Sequence, residues 1–85
     1  MNYYAAFIKM EKPELNQHYR QAHLDYLAEL DEKGFIFARG ALANEVGGLV
    51  IYQADNEAEA RVMAEQDPYV VNGVRSLHLH EWNKV

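Results

Sequence analysis

The stretch NYYAAFIKM, residues 2–10, is apolar on both of its alternating sets of side chains. The two sets consist of Tyr3, Ala5 and Phe7, and of Tyr4, Ala6 and Ile8. Successive side chains of a strand point to opposite faces, so this pattern is typical of a central strand that is covered on both sides. The sequence therefore predicts that its first strand lies inside a sheet with two buried faces.

A long helix and a β-hairpin are predicted to follow this strand. Pro13 suits the first turn of a helix, and the pair Lys33-Gly34 suits a helix end, with apolar residues at helical spacing between them. The stretches GFIFARGAL (34–42) and GLVIYQA (48–54) are rich in β-branched and aromatic residues and flank a short loop that contains glycine. This pattern indicates a hairpin of two antiparallel strands.

A second helix and a last strand complete the predicted chain. Asp55 or Asn56 is expected to cap the helix, whose narrow apolar stripe contains Ala58, Val62 and Met63. The pair Asp67-Pro68 is expected to end it, because the residue before a proline disfavours helical geometry. The stretch VRSLHLHEW (74–82) alternates leucines with polar and aromatic residues, which indicates a strand.

The order β-α-β-β-α-β predicts a ferredoxin-like α+β fold, with a four-stranded antiparallel sheet and two helices on one face. The helices cover only that face, yet the first strand is apolar on both faces. Trp82 also lies on the set opposite the leucines of the last strand. Because a large exposed apolar sheet face is unusual in a soluble monomer, we expect a homodimer that buries it, a dimeric α/β barrel, with a higher oligomer left open.

The composition narrows the class of protein. The 85 residues suffice for one domain spanning 1–85, and none of them is cysteine, which excludes disulfides and thiolate metal sites. The net charge of −5, with eight basic residues spread singly, argues against binding to nucleic acid. No segment approaches the roughly 20 apolar residues of a membrane helix, and the N-terminus lacks the pattern of a signal peptide. We therefore expect a soluble, cytoplasmic protein.

A histidine in the first helix and an acid at the proline corner form a candidate site. Arg20 and His23 are three residues apart and share one helix face, which places His23 at the margin of the apolar stripe. If the two helices lie side by side, Asp67 can approach His23. A carboxylate beside an imidazole fixes its tautomer and stabilises the imidazolium, as general-base catalysis requires. From spacing alone, His23 as a packed boundary residue and Asp67 as a polar helix end remain open alternatives.

The sequence resembles a known family at these positions. The resemblance lies in Arg20-x-x-His23-Leu24-x-x-Leu27, in Gly34 and Gly40, and in DPYVVNGV at 67–74. These residues are similar to those of the YciI family of YCII-related domains, and the similarity covers essentially the whole chain, up to an aromatic residue near its C-terminus, here Trp82. The resemblance implies a ferredoxin-like fold, a homodimer of the dimeric α/β-barrel type and a cleft around a His–Asp pair proposed to be catalytic.

The resemblance also assigns expected roles to individual residues. His23 and Asp67 would be catalytic, and Arg20, Tyr69 and Gly40 would line the cleft and bind the substrate. Many relatives carry Gly-Pro where this chain has Gly40-Ala41, and the loop at 42–48 is short. We therefore expect an open mouth to the cleft.

His78 and His80 share one face of the last strand and so present two imidazoles to the same side. A metal ion usually has three or four ligands, and no third ligand lies nearby in the sequence. We expect no metal and a polar layer in the dimer interface instead.

The resulting hypothesis is a small enzyme without a cofactor. Its His–Asp pair would transfer a proton in an elimination, an isomerisation or a dehydrohalogenation, and the resemblance implies a small cyclic or aromatic organic substrate. The alternative is a non-catalytic ligand-binding or dimerisation module whose His–Asp pair is structural. A cofactor-free oxygenase is a third possibility, although nothing in the sequence indicates a substrate that activates oxygen. The fold alone does not distinguish these functions.

Overall fold

The first strand lies in the middle of the sheet in a computed structural model that describes all 85 residues. Strand β1 (Asn2–Met10) pairs antiparallel with β3 (Gly47–Ala54) on one side and with β4 (Arg75–Trp82) on the other. Strand β2 (Ile36–Ala41) pairs with β3 at the sheet edge. The resulting order, β2-β3-β1-β4, confirms the predicted four-stranded antiparallel sheet of the ferredoxin-like α+β class.

The two long helices begin and end where local chemistry favours it. Helix α1 (Pro13–Glu32) starts with its proline in the first turn and is followed by Gly34, whose φ of 85° is the left-handed conformation common after a helix. Helix α2 (Glu57–Glu65) is capped by Asn56, whose side chain accepts a hydrogen bond from the backbone N–H of Glu59 at 2.9 Å.

A third, short helix corrects the prediction that Asp67-Pro68 only ends the second one. Helix α2 stops at Glu65, and Pro68 begins helix α3 (Pro68–Val71). Asp67 has the extended ψ of 126° that a residue before proline prefers, and its carboxylate accepts the N–H of Tyr69 at 3.0 Å. The corner is therefore the capped start of a helix. None of the three helices has the length and apolar character that crossing a membrane requires.

The main core lies between the helices and one face of the sheet. It combines side chains of all four strands with Leu27 of α1 and two alanines of α2, Ala60 and Ala64. The predicted apolar stripe of α2 is wrong at Ala58 and Val62, which are exposed, whereas its third member, Met63, is partly buried against the core. The small alanine side chains let the α2 backbone approach the sheet closely, so that the larger Val62 faces outward.

The other face of the sheet carries uncovered aromatic side chains. Phe37 and Trp82 are 44% and 40% exposed, and the ring of Tyr3 meets them edge to face at centroid distances of 5.1 Å and 6.2 Å, respectively. His78 lies next to the ring of Phe7 on the same face. The open sheet face, defined by these five residues, is the surface that the two-sided pattern of the first strand predicts.

A substitution at Gly47 tests how closely β3 approaches β1. Its φ is 154°, and a Cβ at this position would collide with the backbone carbonyl of Ile8. We expect Gly47→Ala to lower the free energy of unfolding by about 1–3 kcal/mol, because backbone cannot move aside as a flexible side chain can. Gly40→Ala is the matched control, since a Cβ there meets nothing within 4 Å, and it should change stability by less than about 0.5 kcal/mol. Urea unfolding that shows equal stability for both variants would contradict this packing.

Candidate active site

His23 and Asp67 form a buried pair. The carboxylate oxygens of Asp67 lie 2.8 Å and 2.9 Å from Nδ1 of His23, although 44 residues separate the two in the chain. Asp67 is 0% exposed and His23 is 8% exposed, so the histidine is buried and does not lie at the margin of the apolar face. Helix α1 supplies the imidazole from its middle, and the first residue before α3 supplies the acid.

The pair fixes the orientation and the tautomer of the imidazole. A carboxylate only accepts hydrogen bonds, so Nδ1 of His23 must carry the proton that it donates to Asp67. Nε2 is then the basic nitrogen of the neutral ring, and it makes no hydrogen bond with the protein. His23 also lines a cleft, so a base is held in place beside a space that a small molecule can enter.

The cleft has a volume of about 590 Å³ and lies at the end of the sheet where the hairpin turns. Arg20, Gly40 and Tyr69, the residues expected to bind substrate, all line it together with His23. Asp67 does not line it, because it lies behind the imidazole. The cleft thus exposes the base and shields the acid that orients it.

Tyr69 joins the pair to the rest of the cleft through its ring. The ring stacks on the imidazole of His23 with 4.2 Å between centroids and 26° between planes. Its hydroxyl donates to the backbone carbonyl of Asn16 at 3.1 Å. Burial raises the pKa of Tyr69, although the positive charges of Arg75 and Arg20 oppose that shift. Tyr69 is therefore a neutral phenol at neutral pH and holds the imidazole by packing.

Arg75 is a cleft residue that sequence reasoning missed. It is only 9% exposed, lines the cleft and places its guanidinium 4.2 Å from the centre of the Tyr69 ring. The sequence could have indicated Arg75 through its position, because it shares the strand face of Leu77 and Leu79. A charged residue on the apolar set of a strand that packs against helices is a candidate for function.

The short hairpin loop forms part of the cleft wall. Leu42 and Glu45 line the cleft from this loop, and Glu45 adopts the left-handed conformation with φ of 65°. The short loop therefore contributes to the cleft wall, and the open mouth stays a prediction. Its turn directs two side chains to the same side as the helices.

The negative charge of Asp67 acts on tyrosines in the surrounding core. Burial, and after it the charge of Asp67, raises the pKa of Tyr26 to about 12. The same two causes, in the same order, raise the pKa of Tyr52. Tyr26 donates its hydroxyl proton to the carbonyl of Met63 at 2.7 Å, which links α1 to α2. The pair is therefore set among neutral phenols.

His78 and His80 lie away from this cleft. Both are exposed on the open sheet face, and Nε2 of His78 lies 3.3 Å from the hydroxyl of Ser76. No group of three histidine, cysteine, aspartate or glutamate side chains comes close enough to hold a metal ion.

The fold and the cleft define a ferredoxin-like α+β domain with a buried histidine–aspartate pair at the end of its sheet. The family model for the YCII-related domain matches residues 1–83, and the chain belongs to this family. No curated protein matches the sequence.

Among solved structures, the chain is similar to the 5-chloro-2-hydroxyhydroquinone dehydrochlorinase from Burkholderia phenoliruptrix AC1100, in complex with 2,5-dihydroxybenzoquinone. The TM-score is 0.82 at 20% identity, and the match covers 98% of this chain and 95% of that chain. At this identity, the similarity shows a shared fold.

The tautomer of His23 provides a test of the pair that does not depend on any substrate. We expect nitrogen NMR above the titration range to show a protonated Nδ1 and an unprotonated Nε2 in His23. Asp67→Asn should remove this preference, because an amide can also donate to the ring and so support the other tautomer. His78 and His80 are internal references on the open sheet face and should be unaffected. An Nε2–H tautomer of His23 in the unsubstituted protein would contradict the pairing.

Proposed function

We propose that the protein is a small enzyme that uses His23 and Asp67 to transfer a proton on a small cyclic or aromatic organic substrate. The observation that carries this proposal is that the two ring nitrogens of His23 have different surroundings. Nδ1 is held by a buried carboxylate, while Nε2 belongs to a residue that lines the cleft. A base that is oriented in this way can accept a proton without first rearranging its own hydrogen bonds.

Each residue at the cleft then has a defined role. His23 accepts the proton at Nε2, and Asp67 stabilises the imidazolium that forms. Tyr69 keeps the imidazole in position through the ring stack. Arg20 attracts an anionic substrate from the exposed side of α1, and Gly40 leaves room at the cleft wall because no side chain extends from it.

An elimination is the reaction class that fits these groups with the fewest additional requirements. Nε2 takes a proton from carbon, the electron pair of the C–H bond forms a double bond, and the leaving group departs with its own electron pair. An isomerisation differs only in that the proton returns to another carbon. Neither reaction needs a redox or group-carrying cofactor, since only a proton and a leaving group move.

The structural similarity supports this reaction class and a ring-shaped substrate. The similar solved structure is named a dehydrochlorinase and contains 2,5-dihydroxybenzoquinone, a small cyclic compound. Dehydrohalogenation is an elimination in which halide is the leaving group. We therefore include halogenated hydroxy-substituted rings among the first substrates to test.

The alternative is a module that binds a small ligand, or only dimerises, without catalysis. It is favoured by the second task of Asp67, which caps α3 and accepts the N–H of Tyr69 in addition to contacting His23. In this case the pair would only hold α1 against α3. Turnover and ligand binding must therefore be measured separately.

Substitution of the pair tests the proposed chemistry. His23→Ala should lower turnover by about 10²–10⁴-fold, the usual contribution of positioned proton transfer. Asp67→Asn should also lower turnover, because an amide does not stabilise the imidazolium. The assay follows halide release and the ultraviolet spectrum across a set of halogenated hydroquinones and lactones. His78→Gln is the control, since His78 lies on the open sheet face, and it should keep turnover within a few-fold.

Two outcomes separate enzyme from binding module. Turnover that is unchanged in His23→Ala, for any substrate that the protein converts, would refute a general base at this position. Ligands that bind with unchanged affinity to His23→Ala but are never converted by the original protein would support the non-catalytic alternative.

We also propose that the protein is a homodimer through its open sheet face. The support is the row of uncovered rings on that face, because isolated soluble domains rarely leave a large apolar surface in water. A second copy of the same sheet is a self-complementary cover for it. The cytoplasmic location stays a prediction from the composition.

Sedimentation measures the association directly. At micromolar concentration we expect a dimer, and Trp82→Asp should shift the protein to the monomer, because a buried carboxylate without a partner opposes association. Glu57→Gln, on the exposed start of α2, is the control and should remain dimeric. A stable monomer of the original protein at this concentration would refute the dimer.

A further inference from the structure

Arg75 is a buried positive charge without a carboxylate partner. Its guanidinium donates through Nη2 to the side-chain oxygen of Asn16 at 2.8 Å and packs on the ring of Tyr69. It takes part in none of the ion pairs of the structure. Its Nε is the one buried side-chain nitrogen or oxygen that has no hydrogen-bond partner. Buried arginines are normally paired, because moving an uncompensated charge out of water costs several kcal/mol.

The backbone around Arg75 leaves space for the guanidinium. A Cβ on Gly48 would lie 3.0 Å from Nη1 of Arg75, so a side chain at that position would press on the guanidinium. The guanidinium can therefore pack against strand β3 at Gly48 because this residue has no side chain. Burial lowers the pKa of Arg75, and the negative charge of nearby Asp67 opposes that shift. An arginine stays protonated at neutral pH.

The side chains that line the cleft carry a net positive charge, like Arg75 itself. Three arginines line it, Arg20, Arg39 and Arg75, and Glu45 is its one acidic residue. Arg39 is paired outside the cleft with Asp31 at 3.3 Å, whereas Arg20 and Arg75 have no ion-pair partner. The protein has a net charge of −5, so a positive cleft is a local departure from its overall charge. Such a cleft attracts anions and concentrates them near the histidine.

We propose that Arg75 binds an oxyanion attached to the ring of the substrate, a carboxylate or an ionised ring hydroxyl, in the same cleft as the imidazole of His23. A planar guanidinium matches such oxygens through its N–H donors, and Arg75 lines the cleft without a carboxylate partner of its own. This inference rests on the proposed function, which supplies a cyclic substrate, and adds that the substrate carries a negative charge. It also assigns the main anion contact to buried Arg75, with Arg20 in a secondary place at the exposed rim.

Binding measurements with two pairs of probes test this assignment. Benzoate is compared with neutral benzamide, and 2,5-dihydroxybenzoquinone, which is ionised at neutral pH, with its neutral dimethyl ether. The original protein should bind one or both anions at least about 10-fold more tightly than the neutral partner, as expected for a charge-assisted contact. The pair with the larger ratio identifies the oxyanion as carboxylate or ring oxygen. Equal affinity within both pairs would overturn the proposal.

Arg75→Met separates binding from a structural role. It should weaken binding of the preferred anion by about 10–100-fold and leave the neutral probe within about 3-fold. Its free energy of unfolding should be no lower than that of the original protein, because an apolar side chain of similar length removes an unpaired buried charge. Arg61→Gln, on the outer surface of α2, is the control and should change neither affinity.

The outcomes are distinct from those of the proposed function. Anion preference that is lost in Arg75→Met and kept in His23→Ala supports the inference, even if no turnover is found. Unchanged anion affinity in Arg75→Met would overturn it, and so would destabilisation with equal loss of both probes. If Arg75→Met does not fold, Arg20→Ala distinguishes the two arginines that line the cleft. Anion preference that is kept in Arg20→Ala supports the assignment to Arg75, and preference that is abolished there would overturn it.

Discussion

The buried carboxylate of Asp67 constrains much of the fold around the cleft. An ionised carboxylate that is fully removed from water is stable only when donors satisfy it, and here the donors are an imidazole and a backbone N–H. The imidazole fixes where α1 lies, and the N–H begins α3. One side chain therefore connects two elements that are far apart in the chain. The group that orients the histidine is also a group that holds the domain together.

The sheet was predictable because its signal is local and strong. The two-sided apolar pattern of residues 2–10 gives the central strand the bounds that the structure shows. The third helix was not predicted, because the rule for residues before proline marks the end of one helix and carries no information on the conformation of the residues after the proline. The apolar stripe of α2 was partly misplaced for a different reason. Valine is more hydrophobic than alanine, but the buried positions of α2 carry the smaller side chains of Ala60 and Ala64, with Met63 packed beside them.

The candidate site also contains residues that could be predicted from the sequence and residues that could not. Arg20 and His23 are neighbours on one helix, so their shared face follows from helical geometry. The approach of Asp67 across 44 residues did not follow from spacing and came from the resemblance to YCII-related domains. Arg75 was missed because the last strand was interpreted from its leucines and histidines. Its partner Tyr69 lies on α3, the element that the prediction lacked.

The sheet is a single layer, so successive residues of β1 face opposite sides and lie in different environments. Tyr4, Ala6 and Ile8 face the helices and the cleft, while Tyr3 and Phe7 face outward. A single base change in the corresponding gene can therefore alter one side with little effect on the other. Lineages that descend from such a domain can change what covers the outer face without rebuilding the cleft. They can equally alter the cleft while the outer surface is preserved.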